Sequence, residues 1–178
     1  MTKYAVQPTM EERTFGEHEL IVSKTDTIGH ITYANDVFCR VALYKESDLI
    51  GKPHSVIRHP DMPRCVFKLL WDTIQRGEEI FAYVKNLASD GAYYWVLAHV
   101  TPSFDRAGKI VGYHSNRRCP ERSAIARIEP VYRQLLAEEE RYENRKEGML
   151  AAAKTLANVL SQQSMAYDEY IFSLIQAA

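Results

Sequence analysis

The chain has 178 residues, of which 46% are hydrophobic and 25% charged, and its 22 Lys and Arg nearly balance its 23 Asp and Glu. This length and apolar content suffice for one packed domain with an additional segment and exclude a disordered chain. A formal net charge of -1 argues against nucleic-acid binding, which needs a basic surface to offset phosphate charge. No stretch approaches the roughly 20 apolar residues that span a bilayer, so no membrane insertion is expected.

The three cysteines, Cys39, Cys65 and Cys119, stand at wide and irregular spacings. Such spacings fit neither a disulfide framework nor a zinc site, so we expect reduced thiols. The first twelve residues also lack the apolar core of a secretory signal. These features predict a cytoplasmic protein.

The first half of the chain predicts a hairpin followed by short helices. Residues 19–26 (ELIVSKTD) and 30–35 (HITYAN) are predicted strands joined by a tight turn. Asn35 is then expected to cap a helix, because its short side chain accepts backbone N–H groups left free at the first turn. Residues 54–64 (HSVIRHPDMPR) predict an irregular loop, and Pro63 is well placed to begin a helix that runs to Gly77.

Three further strands are predicted over residues 80–88, 93–102 and 109–118. Asp90-Gly91 and the polar run 105–108 separate them, and glycine favours such turns because it adopts positive φ without steric cost. Strands grouped apart from helices are typical of an α+β domain with an antiparallel sheet.

The last third of the chain is predicted to be helical. Residues 121–147 are helical in composition, and Pro130 is expected to break or begin a helix inside them. Between Met149 and Leu174, apolar and aromatic residues step by alternating fours and threes, with an interruption at Gln163. This heptad-like spacing predicts packing against another copy, a partner or the domain itself, and we favour the first two.

The loop at 54–64 is the densest cluster of residues that could carry chemistry. Its arginines and histidines could hold an anion such as a phosphate. From these residues alone we favour a purely structural role, in which Arg58 and Asp61 form an ion pair and His59 caps a helix. The chain has no glycine-rich nucleotide motif, no zinc spacing and no convergent acid, base and nucleophile. We therefore assign no catalytic residue and no metal ligand, and we do not expect an enzyme.

Aromatic residues on the predicted helix and strands leave two interpretations open. They form an ordinary packed core, or they line a cavity in which rings stack on a flat cofactor. In the second interpretation, Asn86, His99 and Asn116 would supply the hydrogen-bonding edges of that cavity.

The sequence of these motifs resembles a known family. The run HPDMP followed by a helix with a tryptophan, then VKN…DG..YWV and GKIVGYHSNR, is similar to the PAS domain of the aerotaxis receptors, which are bacterial energy sensors. The similarity covers about residues 19–118 and continues weakly through 125–132. It implies a PAS fold: a five-stranded antiparallel sheet with short helices on one face, followed by C-terminal helices. The expected organisation is an N-terminal arm or cap (1–18), a PAS sensor domain (19–119) and a C-terminal helical signalling or dimerisation segment (120–178).

The resemblance also implies that FAD is held noncovalently between the helices and the sheet. Trp71 would pack against the ring system, and Asn86 would donate to and accept from its pyrimidine edge. Arg58 and His59 would meet the pyrophosphate or adenine half, and Asp61 would orient Arg58. The expected FAD-binding residues are Asn35, Arg58, His59, Asp61, Trp71, Asn86 and Tyr94.

The function implied by the resemblance is a cytoplasmic sensor that reports redox or oxygen state. It would form a homodimer through its C-terminal helices and signal to a membrane-bound, chemoreceptor-type partner. Two alternatives remain: a PAS gas sensor whose histidines bind haem iron, and a PAS interaction module without cofactor. One departure from the family is Ile80, which stands where relatives often carry tryptophan, with Phe81 beside it as the substitute ring.

Overall fold

The computed structural model describes residues 6–176 of the chain, so the ends of the predicted arm (1–5) and of the predicted helical segment (177–178) lie outside the described residues. The strands are β1 (Ile21–Thr25), β2 (Ile31–Ala34), β3 (Ile80–Leu87), β4 (Tyr93–Phe104) and β5 (Ile110–Arg118). The α-helices are α1 (Asp36–Ala42), α2 (Glu46–Leu49), α3 (Arg64–Gln75), α4 (Arg122–Glu140), α5 (Arg145–Gln162) and α6 (Tyr167–Gln176).

The five strands form one antiparallel sheet in the order β2-β1-β5-β4-β3. The predicted α+β class and strand number are therefore confirmed. Asn86 lies opposite Tyr94, and Ala98 lies opposite Arg117. Because side chains alternate along a strand, these four residues share one face of the sheet, which we call the inner face.

Short helices cover the inner face. Asn35 caps α1 as predicted, and its side-chain oxygen accepts from the backbone N–H of Phe38 at 3.0 Å. The predicted loop contains one 3₁₀ turn (His54–Ile57) and is held to the edge of the sheet by a backbone bridge between Arg58 and Asn86. This bridge places the cationic loop beside β3.

The outer face of the sheet is covered by residues from both ends of the chain. The N–H of Arg13 donates to the carbonyl of Tyr93 at 2.7 Å, so the N-terminal residues lie along the start of β4. On β3, the carbonyl of Tyr83 accepts from the hydroxyl of Tyr132 on α4 at 2.8 Å. Because helices also cover the inner face, β3 is buried over nearly its whole length.

Helix α4 corrects the prediction at Pro130. The proline lies inside one continuous helix, Arg122–Glu140, and neither breaks nor begins it. Proline removes one N–H donor, which leaves the carbonyl of Ala126 without its helical partner. Both residues are exposed, so that carbonyl lies on the solvent side of the helix, where the lost hydrogen bond costs least. Buried residues on either side, Ile128 and Tyr132, hold the helix against the sheet.

The heptad-like seam also differs from the favoured expectation, because it packs on its own domain. A turn over residues 163–166, in which Ser164 has a φ of 52°, divides the seam between α5 and α6. Leu156 on α5 and both Tyr170 and Leu174 on α6 are buried inside the chain. Because the turn changes the direction of the chain, α5 packs on α3 and α4, whereas α6 packs on α4 and β3.

Candidate cofactor site

A cavity of about 540 Å³ lies between α3, the 3₁₀ turn and the inner face of the sheet. This volume is within the roughly 300–1,000 Å³ range of small-molecule sites. Aliphatic residues on the strands form its floor, namely Val84, Ala98 and Val100. The side chains of α3 that face them form its roof, namely Phe67, Leu70, Trp71 and Ile74.

Trp71 is held at the wall of this cavity by two contacts. Its ring packs edge-on against Tyr113, with centroids 5.4 Å apart and planes at 86°. A Cβ at Gly29 would lie 2.9 Å from the same ring, and Gly29 has a φ of 89°. Only glycine tolerates both conditions, so the turn between β1 and β2 is shaped to receive the indole.

A polar cluster of Ser23, His54 and Arg117 lines the cavity. Arg117 is only 2% exposed, and its Nη2 donates both to His54 Nε2 at 2.6 Å and to the Ser23 hydroxyl. Because arginine is only a donor, Nε2 is the acceptor and the neutral imidazole carries its proton on Nδ1. Burial and the neighbouring guanidinium lower the pKa of His54 to about 3, which keeps the ring neutral.

Of the other two guanidinium nitrogens of Arg117, Nε donates to the Ser115 hydroxyl at 3.0 Å, whereas Nη1 is buried and has no hydrogen-bond partner among residues 6–176. Burial lowers the pKa of Arg117 to about 10, so the group stays charged at neutral pH. Its face packs on the ring of Phe38, 4.8 Å from the centroid. The cavity wall therefore carries a buried positive charge with one unused donor.

Three more cations line the same cavity. Arg58 donates to the Met62 carbonyl at 3.3 Å and lies 4.3 Å from the centroid of the Phe67 ring. On α3, Arg64 and Lys68 also line the wall, and the ammonium of Lys68 is paired with the carboxylate of Asp72 at 2.5 Å. No aspartate or glutamate lines the cavity itself within the described part of the chain, so Arg58, Arg64 and Arg117 give its wall an excess of positive charge. Such a surface favours an anionic ligand.

Of the seven residues expected to bind FAD, Arg58, Trp71 and Asn86 line the cavity. Asn35 instead joins the start of α1 to β1, since its side chain also accepts from Val22 N–H and donates to the Leu20 carbonyl. Tyr94 lies on the inner face and is fully buried, but it is not part of the cavity wall.

His59 and Asp61 also lie away from the cavity wall. His59 is 3% exposed, its Nδ1 accepts from the backbone N–H of Asp61 at 3.1 Å, and burial lowers its pKa to about 4. Asp61 forms an ion pair with Lys85 at 2.7 Å, on the outer side of β3. These two residues shape the loop that presents Arg58. Their contact with a cofactor remains a prediction.

Strand alternation corrects three expectations drawn from the sequence. His99 and Asn116 lie opposite each other on the outer face and so cannot supply the edges of this cavity. Phe81 is also on the outer face, where it stacks on His99 at 4.2 Å and packs against Phe172 of α6. It therefore does not supply the ring that is missing at Ile80.

Sequence reasoning missed Ser23, Arg117 and Met149, which all line the cavity. One signal was available for Arg117, because it follows Tyr113 and Ser115 at alternate positions of β5 and hence faces inward. An arginine at an inward strand position is rare unless it is paired.

No three His, Cys, Asp or Glu side chains in residues 6–176 are placed to hold a metal ion together. Over the same residues, no helix is long and apolar enough to cross a bilayer.

Comparison with known proteins identifies the domain. Residues 31–117 match the family model described as the PAS fold. A solved light-oxygen-voltage domain, described with a flavin analogue, matches with a TM-score of 0.52 at 18% identity, over 68% of this chain and 85% of that one. Together with the strand order, these matches show that the chain contains a domain with the PAS fold.

The chain is related to signalling PAS proteins. It is 40% identical to the aerotaxis receptor of Escherichia coli (strain K12) over 129 residues, which are 72% of this chain and 25% of the receptor. It is 29% identical to the nitrogen fixation regulatory protein of Klebsiella pneumoniae over 97 residues, 54% of this chain and 20% of that protein. The chain thus spans about a quarter or less of the length of these relatives.

Proposed function

We propose that this chain is a redox sensor that binds FAD noncovalently in the cavity between α3 and the sheet. The observation that carries the proposal is Arg117, a buried guanidinium with an unused donor on the wall of a cavity that fits a small molecule. An unpaired buried charge costs several kcal/mol, and a ligand that completes its hydrogen bonds removes that cost. Flavin offers carbonyl oxygens on its pyrimidine edge.

The remaining residues of the wall fit the parts of FAD. Trp71 would pack against the apolar ring system, and Asn86 would meet its polar edge with both a donor and an acceptor. The guanidinium groups of Arg58 and Arg64 would neutralise the diphosphate. Two similarities also support a flavin: the sequence similarity to the aerotaxis receptor, and the structural similarity to a light-oxygen-voltage domain that is described with a flavin analogue.

Reduction of the bound flavin would change the charge at its polar edge. Asn86 on β3 and Arg117 on β5 would respond by altering their hydrogen bonds, and His54 would remain the neutral acceptor for Arg117. The backbone of β3 connects Asn86 on the inner face to Tyr83, whose carbonyl accepts from α4. A small shift of this strand would bias the docking of the C-terminal helices.

We also propose that the protein acts in the cytoplasm as a homodimer and signals to a membrane-bound, chemoreceptor-type partner. Support comes from the relationship to the aerotaxis receptor and from exposed apolar side chains on the C-terminal helical segment, Tyr142 and Met165. Sedimentation over a wide concentration range tests the dimer. Co-sedimentation with membranes that contain chemoreceptors, compared with membranes that lack them, tests the partner.

Absorption spectroscopy of the purified chain tests the cofactor. We expect a yellow protein, or one that becomes yellow on reconstitution, and FAD in the supernatant after denaturation, identified by chromatography against FMN and riboflavin standards. A protein that stays colourless with excess FAD would leave the interaction module as the better hypothesis. A Soret band at about 400 nm after reconstitution with haem, in a protein that binds no flavin, would favour the haem-binding gas sensor.

A further inference from the structure

Helix α5 contributes to the cavity wall, although it lies outside residues 31–117 that match the PAS fold. Met149, in the second turn of α5, is half-buried and lines the cavity together with the residues of α3. At the start of α5, the carbonyl of Arg145 accepts from the guanidinium of Arg64, itself a lining residue, at 3.4 Å. The cavity is thus closed in part by the C-terminal segment.

Helices α4 and α5 form a tight hairpin at this point. Gly148 is buried, and a Cβ built on it would lie 2.3 Å from the carbonyl oxygen of Glu139. Asn144 caps α5, since its side chain accepts from the backbone N–H of Lys146 at 2.9 Å. The close approach at Gly148 and the cap together determine where Met149 lies relative to α4.

The same hairpin is bonded to the roof of the cavity. The carboxylate of Glu139 accepts from the backbone N–H of Cys65 at 2.9 Å, in the first turn of α3. Two residues later along α3, Phe67 lines the cavity, as do Lys68 and Trp71. A displacement of α3 would therefore strain its bonds to α4 and α5.

We propose that α5 is part of the cofactor site, that Met149 contacts the bound flavin nucleotide, and that cavity occupancy and the docking of α5 on α3 stabilise each other. The inference rests on the proposed function, because it takes a flavin nucleotide as the occupant. Coupling of this kind is reciprocal: a ligand that favours docked α5 binds more tightly when α5 is docked. It gives the occupant direct contact with the C-terminal segment, in addition to the route through β3.

The test uses the whole chain and FAD as the probe. Met149→Ala removes the side chain at the wall, whereas Leu150→Ala is the matched control, because Leu150 is the next residue and is 40% exposed. We expect Met149→Ala to weaken FAD binding by roughly three- to tenfold and Leu150→Ala to leave the dissociation constant unchanged. Met149→Leu keeps the apolar volume and should restore most of the affinity.

Amide hydrogen exchange supplies a second readout, which measures the docking of α5 rather than the affinity for FAD. FAD should slow amide exchange in α5 of the unmodified chain, and the slowing should be smaller in Met149→Ala. If FAD binds but exchange in α5 is unchanged, or if the two alanine variants bind FAD equally well, the inference is wrong while the proposed function stands. If the unmodified chain binds no FAD at all, the proposed function itself fails, and this inference with it.

Discussion

At the scale of single residues, Arg117 is the group that most needs a ligand. Buried charges are stable in proteins when they are paired, and this one leaves Nη1 unpaired within the described residues. The guanidinium stands in apolar surroundings, against the ring of Phe38 and beside the aliphatic floor of the cavity. A role in ligand binding explains that choice of residue.

The variant Arg117→Met tests this role, since methionine keeps much of the apolar stem and removes the charge. We expect FAD binding to weaken by roughly ten- to a hundredfold, the usual loss for a hydrogen bond to a charged group. The ligand-free variant should be as stable as the parent chain or more so, because an unpaired buried charge has been removed. Arg118→Met, on the exposed side of β5, is the control.

Binding that is equally tight in both arginine variants would contradict the assignment of Arg117 to the site. Loss of stability in ligand-free Arg117→Met would show instead that the guanidinium mainly holds Ser23 and His54 in place.

Two histidines should make the stability of the fold sensitive to mild acid. Burial lowers the pKa of His54 to about 3 and that of His59 to about 4, from an ordinary value of 6.5. Below pH 6.5 the unfolded chain takes up protons that the folded chain does not. The free energy of unfolding should therefore fall as the pH decreases from about 6.5 towards 4, by at most about 1.4 kcal/mol per pH unit for each histidine.

Denaturant unfolding between pH 7 and pH 5.5 measures this slope, in a range where ordinary carboxylates stay ionised. His54→Gln and His59→Gln should each flatten it, whereas His18→Gln, at an exposed position, should not. An identical slope in all three variants would mean that neither buried histidine resists protonation in the fold. Burial raises the pKa of Glu139, so this carboxyl changes the slope in the opposite direction. Its contribution is the same in every variant and cancels when the slopes are compared.

At the scale of secondary-structure elements, the contact between α4 and α5 determines the position of the C-terminal segment. Alanine in place of a helical glycine usually stabilises a helix by roughly 0.5–1 kcal/mol. At Gly148 the added Cβ would meet the carbonyl of Glu139, so the packing cost opposes this gain. If Gly148→Ala stabilises the protein, helix propensity dominates at this position, and if it destabilises the protein, the packing of α5 on α4 dominates.

We expect Gly148→Ala to lower the melting temperature in circular dichroism, in spite of its better helix propensity. Ala157→Gly, at an exposed position of the same helix, should cost only the ordinary propensity difference of about 1 kcal/mol. A higher melting temperature for Gly148→Ala would show that the hairpin opens without cost, and would weaken the case for a rigid α5.

At the scale of the whole molecule, the distribution of charge around the cavity predicts which ligands bind best. A ligand that binds only the folded chain stabilises it by RT ln(1 + [L]/Kd), about 2.7 kcal/mol at a hundredfold excess over Kd. Arg58 and Arg64 line the wall, so a ligand with a diphosphate gains an electrostatic contribution that riboflavin lacks.

Thermal unfolding with matched concentrations of FAD and riboflavin measures this difference. FAD should raise the melting temperature more than riboflavin does, and added salt should reduce the gap, because salt screens partly exposed charges. Equal stabilisation by the two ligands, at low salt, would place the diphosphate away from these cations.

The sequence alone was sufficient for the features that depend on neighbouring residues. The strand pairs were predicted from the turn at Asp90-Gly91 and from alternating apolar residues, and the cap at Asn35 was predicted from its side-chain chemistry. Turns and caps are made by residues within a few positions of one another, so their signals are present in any short segment. The resemblance to the aerotaxis receptors indicates the PAS fold and implies two residues of the cavity wall, Trp71 and Asn86.

Only the tertiary structure decided which strand face meets the cavity, how Arg117 is buried, and where the C-terminal helices pack. A one-residue change of register would exchange the surroundings of His99 and Ala98, and the local sequence does not determine that register. Pro130 stays inside α4, and the seam of α5 and α6 packs on its own domain, because burial against distant residues outweighs local propensity. Burial depends on the whole chain, and so do the charges that distinguish a binding site from a packed core.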